Sequence, residues 1–408
     1  MSNVLDELRI GVIGCGGRGM LARHAHKPNN GSRIVACCDV SSENLEKSKE
    51  LYGRDLFTTD DYSDLLAQDI DAIFVCTPDH YHEDHALAAL NAKKSVYLEK
   101  PMTITTEGCD RVLQAAYQNP GRLYLGHNMR HMTFVLKMKA LVDEGAIGDV
   151  KTAWCRHFVG HGGDFYFKDW HADRRNTTSL LLQKAAHDID VLHWLCGSYT
   201  KRVNAMGGLT VYGLIQDRFS PNLGSDSSPE EPPHPKADIA NWPPLTQTQL
   251  YPVVDVEDVS MVNMEMHSGV FASYQQCHFT PDYWRNYTII GTEGRIENFG
   301  DTQPNAVVKL WNKRVRDYNP EADETFAVGA MSADHGGADA KIVAEFVRFA
   351  RGDANEQGRT GYDSIKTSPI AARYSVATGC TATESLRNGG VPVDVPVLDA
   401  EIAKYFAE

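Results

Sequence analysis

Leu8-Arg9-Ile10-Gly11-Val12-Ile13-Gly14-Cys15-Gly16-Gly17-Arg18-Gly19 is the stretch on which the fold turns. Six residues read as a short apolar strand, and Gly14-x-Gly16-x-x-Gly19 follows at once and opens a helix. Glycines at this spacing permit a tight turn and let the backbone approach a pyrophosphate seated on the helix N-terminus. Spacing alone is a weak signal, so context decides. A second strand, Arg33 to Cys38, ends in Asp39, twenty residues after Gly19. A carboxylate there accepts the ribose hydroxyls of NAD and repels a 2′-phosphate. Val40-Ser41-Ser42 follows, with no arginine, although either serine could tolerate a phosphate. The expected cofactor is NAD, held by Gly14, Gly16, Gly17, Arg18, Gly19 and Asp39.

Working outward, apolar strands at Asp71 to Cys76, Ser95 to Leu98 and Arg122 to Leu125 alternate with helical stretches. The latter are Glu43 to Leu51, Tyr62 to Ala67, His82 to Ala92 and Thr105 to Tyr117. Alternation of this kind gives an α/β domain, an N-terminal Rossmann doubly wound parallel sheet over residues 1–130. The pattern then changes. Thr152 to Phe158, Ser260 to Met266, Val270 to Gln276, Tyr287 to Ile290 and Ala306 to Trp311 are successive strands without intervening helices. They imply a C-terminal α+β domain over 131–408 with a mostly antiparallel sheet packed on one face. Helices are expected at Leu136 to Glu144, Leu180 to Leu195, Ala338 to Ala350 and Ile370 to Leu386, the last two packing back on the body. Residues 216–252 are rich in Pro, Ser and Asp, and read as a functional loop, an arm to a neighbouring subunit or a surface insertion.

Composition narrows the partners. The 408 residues carry 40 Lys and Arg against 54 Asp and Glu, a net charge of −14, with 42% hydrophobic residues. That balance argues against nucleic acid or an anionic membrane surface. The N-terminus lacks the pattern of a secretory signal, and no apolar run is long enough to span a bilayer. Nine scattered cysteines without a CxxC pair suit reduced thiols, and the expected location is cytoplasmic.

Two further stretches carry chemistry. Tyr97-Leu98-Glu99-Lys100-Pro101 ends a strand, so Lys100 points a cation at the crevice where open α/β sheets bind ligands. Cys76-Thr77-Pro78-Asp79-His80 ends the preceding strand, where a cofactor ribose or nicotinamide would lie, making Thr77 and Pro78 candidates. His80, His82 and His85 have a spacing that could suit a metal, but the reading preferred is a helix start capped by Asp79, and no metal is expected.

Together these features resemble the Gfo/Idh/MocA sugar oxidoreductases. The matching residues are the Gly14–Gly19 turn, Asp39, CTPDHYH at 76–82, EKPM at 99–102 and AHDIDVLHWLCG at 186–197. The resemblance implies a Rossmann domain followed by a domain with a large, open, mostly antiparallel sheet, whose face commonly forms a homo-oligomer interface. It implies NAD(P)-linked oxidation or reduction of a sugar or cyclitol carbon. By position, Lys100 is the lysine at nicotinamide and substrate, and His187 is the catalytic histidine. His82, Glu99 and Asn128 join the cofactor side. Many members carry Asp four residues before the histidine, whereas this chain has Gln183, followed by Lys184.

On a helix Lys184, His187 and Asp188 share a face, so Lys184 is a candidate second ionisable group, unless it is a snorkelling lysine. Arg156, His157, Trp170, Asp173, Asp188 and His335 are candidate contacts for a polyhydroxylated ligand, and Arg156, His157, Arg174 and Arg175 could also bind a carboxylate, phosphate or sulfonate. The leading expectation is an NAD-dependent dehydrogenase of a sugar, glycoside or cyclitol. The alternative is NAD-dependent glycoside hydrolysis by transient C3 oxidation, elimination and water addition. A non-catalytic nucleotide sensor comes third.

Overall fold

A computed structural model of the chain describes residues 7–119, 123–220, 240–329, 337–353 and 368–407. The chain divides into two compact units, one of Met1–Val135, Met331–Val376 and Val397–Glu408, the other of Leu136–Ala330 and Ala377–Pro396. A single boundary near residue 130 does not describe this division, because the chain returns to the first unit late. The cause is core packing. The helix Ala338–Arg351 buries Ile342, Val343 and Phe346 against the first sheet. The Phe346 ring lies 5.0 Å from Phe74, 5.5 Å from Tyr97 and 5.8 Å from Tyr124.

The first unit is built on six strands: β1 (Leu8–Ile13), β2 (Ser32–Cys38), β3 (Phe57–Thr59), β4 (Ala72–Val75), β5 (Ser95–Leu98) and β6 (Leu123–Leu125). They run in the order β3-β2-β1-β4-β5-β6, all parallel. β4, β5 and β6 are buried throughout, as expected of parallel strands covered on both faces. The strand order reverses between β1 and β4, which places a ligand crevice at their carboxyl ends. Gly14 sits there with φ +84°, and a Cβ on it would lie 2.8 Å from the Cys76 and Thr77 backbone. A Cβ on Gly19 would overlap the Gly14 carbonyl oxygen.

The segment after the turn, Gly17–Ala25, winds as a 3₁₀-helix rather than an α-helix. Glycines weaken regular helix, and the close approach of Gly19 to Gly14 favours the tighter winding. Gly19→Ala is therefore expected to displace this turn and lower NADH affinity at least tenfold; NADH fluorescence titration measures it.

The second unit carries β7 (Val150–Phe158), β8 (Thr200–Gly208), β9 (Val259–Met266), β10 (Phe271–Cys277), β11 (Trp284–Gly291), β12 (Arg295–Phe299), β13 (Val307–Trp311), β14 (Glu324–Ala327) and β15 (Val393–Asp394). Their order is β14-β13-β12-β11-β7-β10-β9-β8-β15. Neighbours are antiparallel except β7 with β10. β9 and β10 alternate buried and exposed residues, so one face is covered and the other open. Register sets Ser260, Gln276, His157 and Arg285 side by side across β9, β10, β7 and β11 on the covered face.

The expected helix from 180 to 195 forms as two segments, Leu180–Gln183 and Ala185–Cys196, meeting at Lys184. Ser179 caps the first through Leu182 N at 3.0 Å, and Gly197 ends the second with φ +64°.

The flanks of the insertion belong to the core of this unit. Asp258, fully buried, accepts hydrogen bonds from Thr210 N and Oγ1, Val211 N and Tyr212 N. Tyr212, Ile215, Leu250 and Val256 pack with Phe167 and Leu180. Asn241 Nδ2 and Gln247 Nε2 each donate to Asp164 Oδ1 at 2.9 Å, fastening the segment after β7. Residues 221–239 of the insertion lie outside the described residues. No described helix is long and apolar enough to cross a membrane.

Candidate functional site

Each unit holds part of the candidate machinery. In the first, Asp39 closes β2 and is shaped by its surroundings. Its Oδ2 accepts Cys15 N at 2.7 Å, and its Oδ1 accepts Ser41 N at 2.8 Å and Asn44 Nδ2 at 3.3 Å. The carboxylate is thereby locked to the glycine turn, with lone pairs left to accept further donors. Gly16 precedes the helix without a side-chain cap, and its first turn holds no acidic residue. Gly17 has open space where a Cβ would be. A pinned carboxylate beside a cradle that a Cβ would fill fits a dinucleotide.

Arg18 has a task the sequence did not suggest. Its Nε bonds Glu99 Oε1, while Nη1 and Nη2 bond the two carboxylate oxygens of Asp339 at 2.7 and 3.1 Å. Asn128 Nδ2 donates to Asp339 Oδ1 at 2.9 Å. Glu99, 2% exposed, accepts the Lys100 backbone amide at 2.7 Å through Oε2. Arg18, Glu99 and Asn128, expected among cofactor contacts, thus form one network that fixes the backbone behind Lys100. The fork of Arg18 suits such bidentate pairing.

Thr77 and Pro78 stand at the carboxyl end of β4, with Thr77 Oγ1 3.1 Å from His85 Nδ1. His82 faces inward: Nδ1 lies 2.7 Å from Pro101 O and Nε2 2.9 Å from Thr77 O. It ties the loop after Lys100 to the loop after β4, so its ring nitrogens are engaged by protein. Among the described residues no group of His, Cys, Asp and Glu is arranged to hold a metal ion.

In the second unit the centre is Asp188, fully buried. Its Oδ2 accepts His157 Nδ1 at 3.0 Å and Tyr274 OH at 3.1 Å. Its Oδ1 accepts Tyr287 OH and pairs with Arg285 Nε at 3.1 Å. Burial pushes this carboxyl up, but the Arg285 charge and the bonds from His157 and Tyr287 outweigh it and hold it below the ordinary range. Burial and Arg285 push His157 down to about 3, so its ring is neutral. Three hydrogen-bond donors and the Arg285 charge engage Asp188, which anchors the helix carrying His187 rather than offering itself to a ligand.

His187, 8% exposed, follows Lys184 on the same helix. Lys184 is half-buried, and burial and the Arg285 charge push its amine down to about 8. Trp170 stacks on His171 with centroids 3.7 Å apart. Two expected contacts are engaged by other residues of the chain. Strand alternation puts Arg156 on the exposed face of the sheet, opposite His157, where it bonds Asn286 Oδ1 at 3.0 Å. Asp173 caps Arg174–Thr177 and is gripped by the Arg175 side chain. His335 lies outside the described residues.

Residues 8–127 match the oxidoreductase family with NAD-binding Rossmann fold, and residues 135–297 match the GFO/IDH/MocA C-terminal domain. The chain belongs to the Gfo/Idh/MocA family. An inositol 2-dehydrogenase from Salmonella typhimurium is 30% identical over 200 residues, 48% of this chain and 56% of that protein. The chain thus spans little more than half the length of that relative. Scyllo-inositol dehydrogenase from Lactobacillus casei with bound NAD(H) and scyllo-inositol aligns over 95% of this chain and 99% of its own, at TM-score 0.65 and 20% identity. Levoglucosan dehydrogenase in complex with NADH and levoglucosan covers 96% and 100%, at TM-score 0.69 and 19% identity. These two share the fold.

Within the Gfo/Idh/MocA frame, sequence reasoning missed Asp339, Tyr274, Tyr287, Arg285 and His278. Each stands in an ordinary strand or helix context except His278, which lies just beyond β10. A buried-face arginine in β11 was the one readable signal, because a charge among inward positions needs a partner.

Proposed function

We propose that the protein is an NAD-dependent dehydrogenase acting on a carbinol carbon of a sugar or cyclitol. The observation that carries this reading is Lys100, set at the carboxyl end of β5 in an NAD-binding sheet by the Glu99–Arg18–Asp339 network. When bound, NAD would accept a hydride from that carbon. Lys100 and His187 are the groups read as holding and moving the hydroxyl proton, and Asp39 as the acceptor of the ribose hydroxyls. Asp39 also favours NAD over NADP, since a 2′-phosphate would meet its charge. Family membership supports the reaction class, and the named relatives support a cyclitol or sugar as substrate.

The test is incubation with NAD or NADP and a panel of inositols, hexoses, sugar acids and aryl glycosides, following NADH absorbance and free aglycone together. Stoichiometric NADH with at least one non-aromatic substrate is expected. Asp39→Ala is expected to raise KM for NAD about tenfold or more while narrowing the gap to NADP. Aglycone released without NADH would instead select the oxidation–elimination route. Absence of both products would overturn the reading. The open face of the second sheet, where Phe271, Met261 and Met206 are exposed, is read as the homo-oligomer surface that the family resemblance implies.

A further inference from the structure

We infer that the second unit recognises a carboxylate through Lys184, so that the substrate of the proposed dehydrogenase is an acidic sugar, a uronate or other sugar acid, rather than a neutral one. This rests on the reading above and deepens it.

Lys184 stands at the joint between two helical segments, and its Nζ lies 5.4 Å from the centroid of the Tyr166 ring. Around it are His157 from β7, Tyr166 and His171 from the segment after β7, and Asp188 from its own helix. His278 just beyond β10, Arg285 in β11 and Asp301 beyond β12 complete the surroundings. Two of these groups are carboxylates, and both are committed elsewhere. Asp188 is filled by His157, Tyr274, Tyr287 and Arg285. Asp301 accepts Tyr283 OH at 2.7 Å, accepts Thr302 N at 2.7 Å and faces Arg285 Nη1 at 4.0 Å. Two histidines that feel the Lys184 charge, His157 and His278, are held neutral by burial first. Among the described residues no carboxylate lies within ion-pairing distance of Lys184 Nζ.

A half-buried cation without a counter-ion is unfavourable, and an incoming carboxylate is the group that corrects it. The position occupied by a carboxylate in many family members is Gln183 here, and an acid there would compete with a bound anion. The surroundings also suit a sugar ring. Tyr166 meets His278 edge-on at 5.2 Å and His171 at 5.1 Å, and Trp170 stacks on His171. Aromatic faces pack on the apolar faces of sugars while ring nitrogens and hydroxyls meet their edges. His278 is fully buried, yet neither ring nitrogen has a hydrogen-bond partner, and His157 Nε2 is in the same state. Buried polar atoms left unmatched beside a lone ammonium call for a partner from outside the chain.

The experiment is isothermal titration of the full chain, with and without NADH, using D-glucose against D-glucuronate and D-galactose against D-galacturonate. At neutral pH at least one uronate is expected to bind about tenfold or more tightly than its hexose. Lys184→Met erases that gap, whereas Lys184→Arg, which keeps a cation and cannot act as a base, retains it. The gap narrows above about pH 8, where the free amine loses its proton, while hexose binding does not change. Equal binding of uronate and hexose, binding of neither, or a gap that survives Lys184→Met overturns the inference. The two readings fail differently. A Lys184-dependent uronate preference without NADH formation sinks the dehydrogenase reading alone, and NADH from neutral sugars without any uronate preference sinks the carboxylate inference alone.

Discussion

Lys100→Ala is expected to lower kcat by about 10²–10⁴-fold, the range set by loss of a positioned proton-transfer group, while NADH affinity stays within about twofold of wild type. Cofactor binding and proton transfer fall to separate groups in the first unit. NADH is read as resting on the Gly14–Gly19 turn and Asp39, whose geometry depends on Cys15 N, Ser41 N and Asn44. Lys100 contributes to none of those bonds. The backbone at Lys100 is set by Glu99 Oε2, and Glu99 is set by Arg18, which Asp339 grips through both oxygens. Truncation at Cβ therefore removes the ammonium and leaves its mounting in place. Fluorescence titration with NADH and steady-state turnover on the panel above separate the two quantities. Wild-type turnover by Lys100→Ala would remove Lys100 from the chemistry. Equal loss of NADH binding and turnover would make it a cofactor ligand instead.

The first unit was largely legible because its signals are local. The strand Leu8–Ile13, the glycine turn and Asp39 lie within 32 residues of one another, and parallel strands covered on both faces announce themselves as apolar runs. The network behind Lys100 was not legible, because its partners are 81 and 321 residues apart in sequence. Nothing about Asp339, an acidic residue in a helix first turn, distinguishes it from a solvated one until Arg18 is seen beside it. The same holds for His82, whose spacing from His80 and His85 hinted at chemistry, whereas its ring bridges two carbonyls.

In the second unit, alternation identified strands but could not give their order. The parallel pairing of β7 with β10 brings Gln276 beside His157, and no periodicity encodes a choice of neighbour. Arg156 and His157 looked equivalent as adjacent strand residues. The pleat sends one to each face, and only the helix covering His157 says which face matters. The expected single helix from 180 breaks at Lys184, and propensity gave no warning, since lysine is a good helix former.

Asp188→Asn is expected to destabilise the protein by about 3–5 kcal/mol, the cost of breaking a buried ion pair from one side. The side chain is nearly isosteric, so the effect comes from charge and donor count. Three hydrogen-bond donors and the Arg285 charge converge on two carboxylate oxygens, and an amide turns one of those oxygens into a donor facing donors. Arg285, 5% exposed, is left with Asp301 at 4.0 Å as its nearest carboxylate. Chemical denaturation reads the loss.

The Asp188→Asn/Arg285→Met double variant is the control, because it removes both charges and keeps an acceptor oxygen for the buried hydroxyls. It is expected to lose less stability than the sum of the two single variants. A double variant as unstable as the sum of the singles would mean that the two residues act separately. The pH dependence has a fixed sign. The folded pKa of Asp188 is depressed, so its stabilisation is complete above the unfolded value of about 3.9 and is lost as the pH falls below it. Asp188→Asn should flatten that acid limb. An acid limb identical to wild type would place the titrating carboxylate elsewhere and leave Asp188 as a packing residue whose charge contributes little.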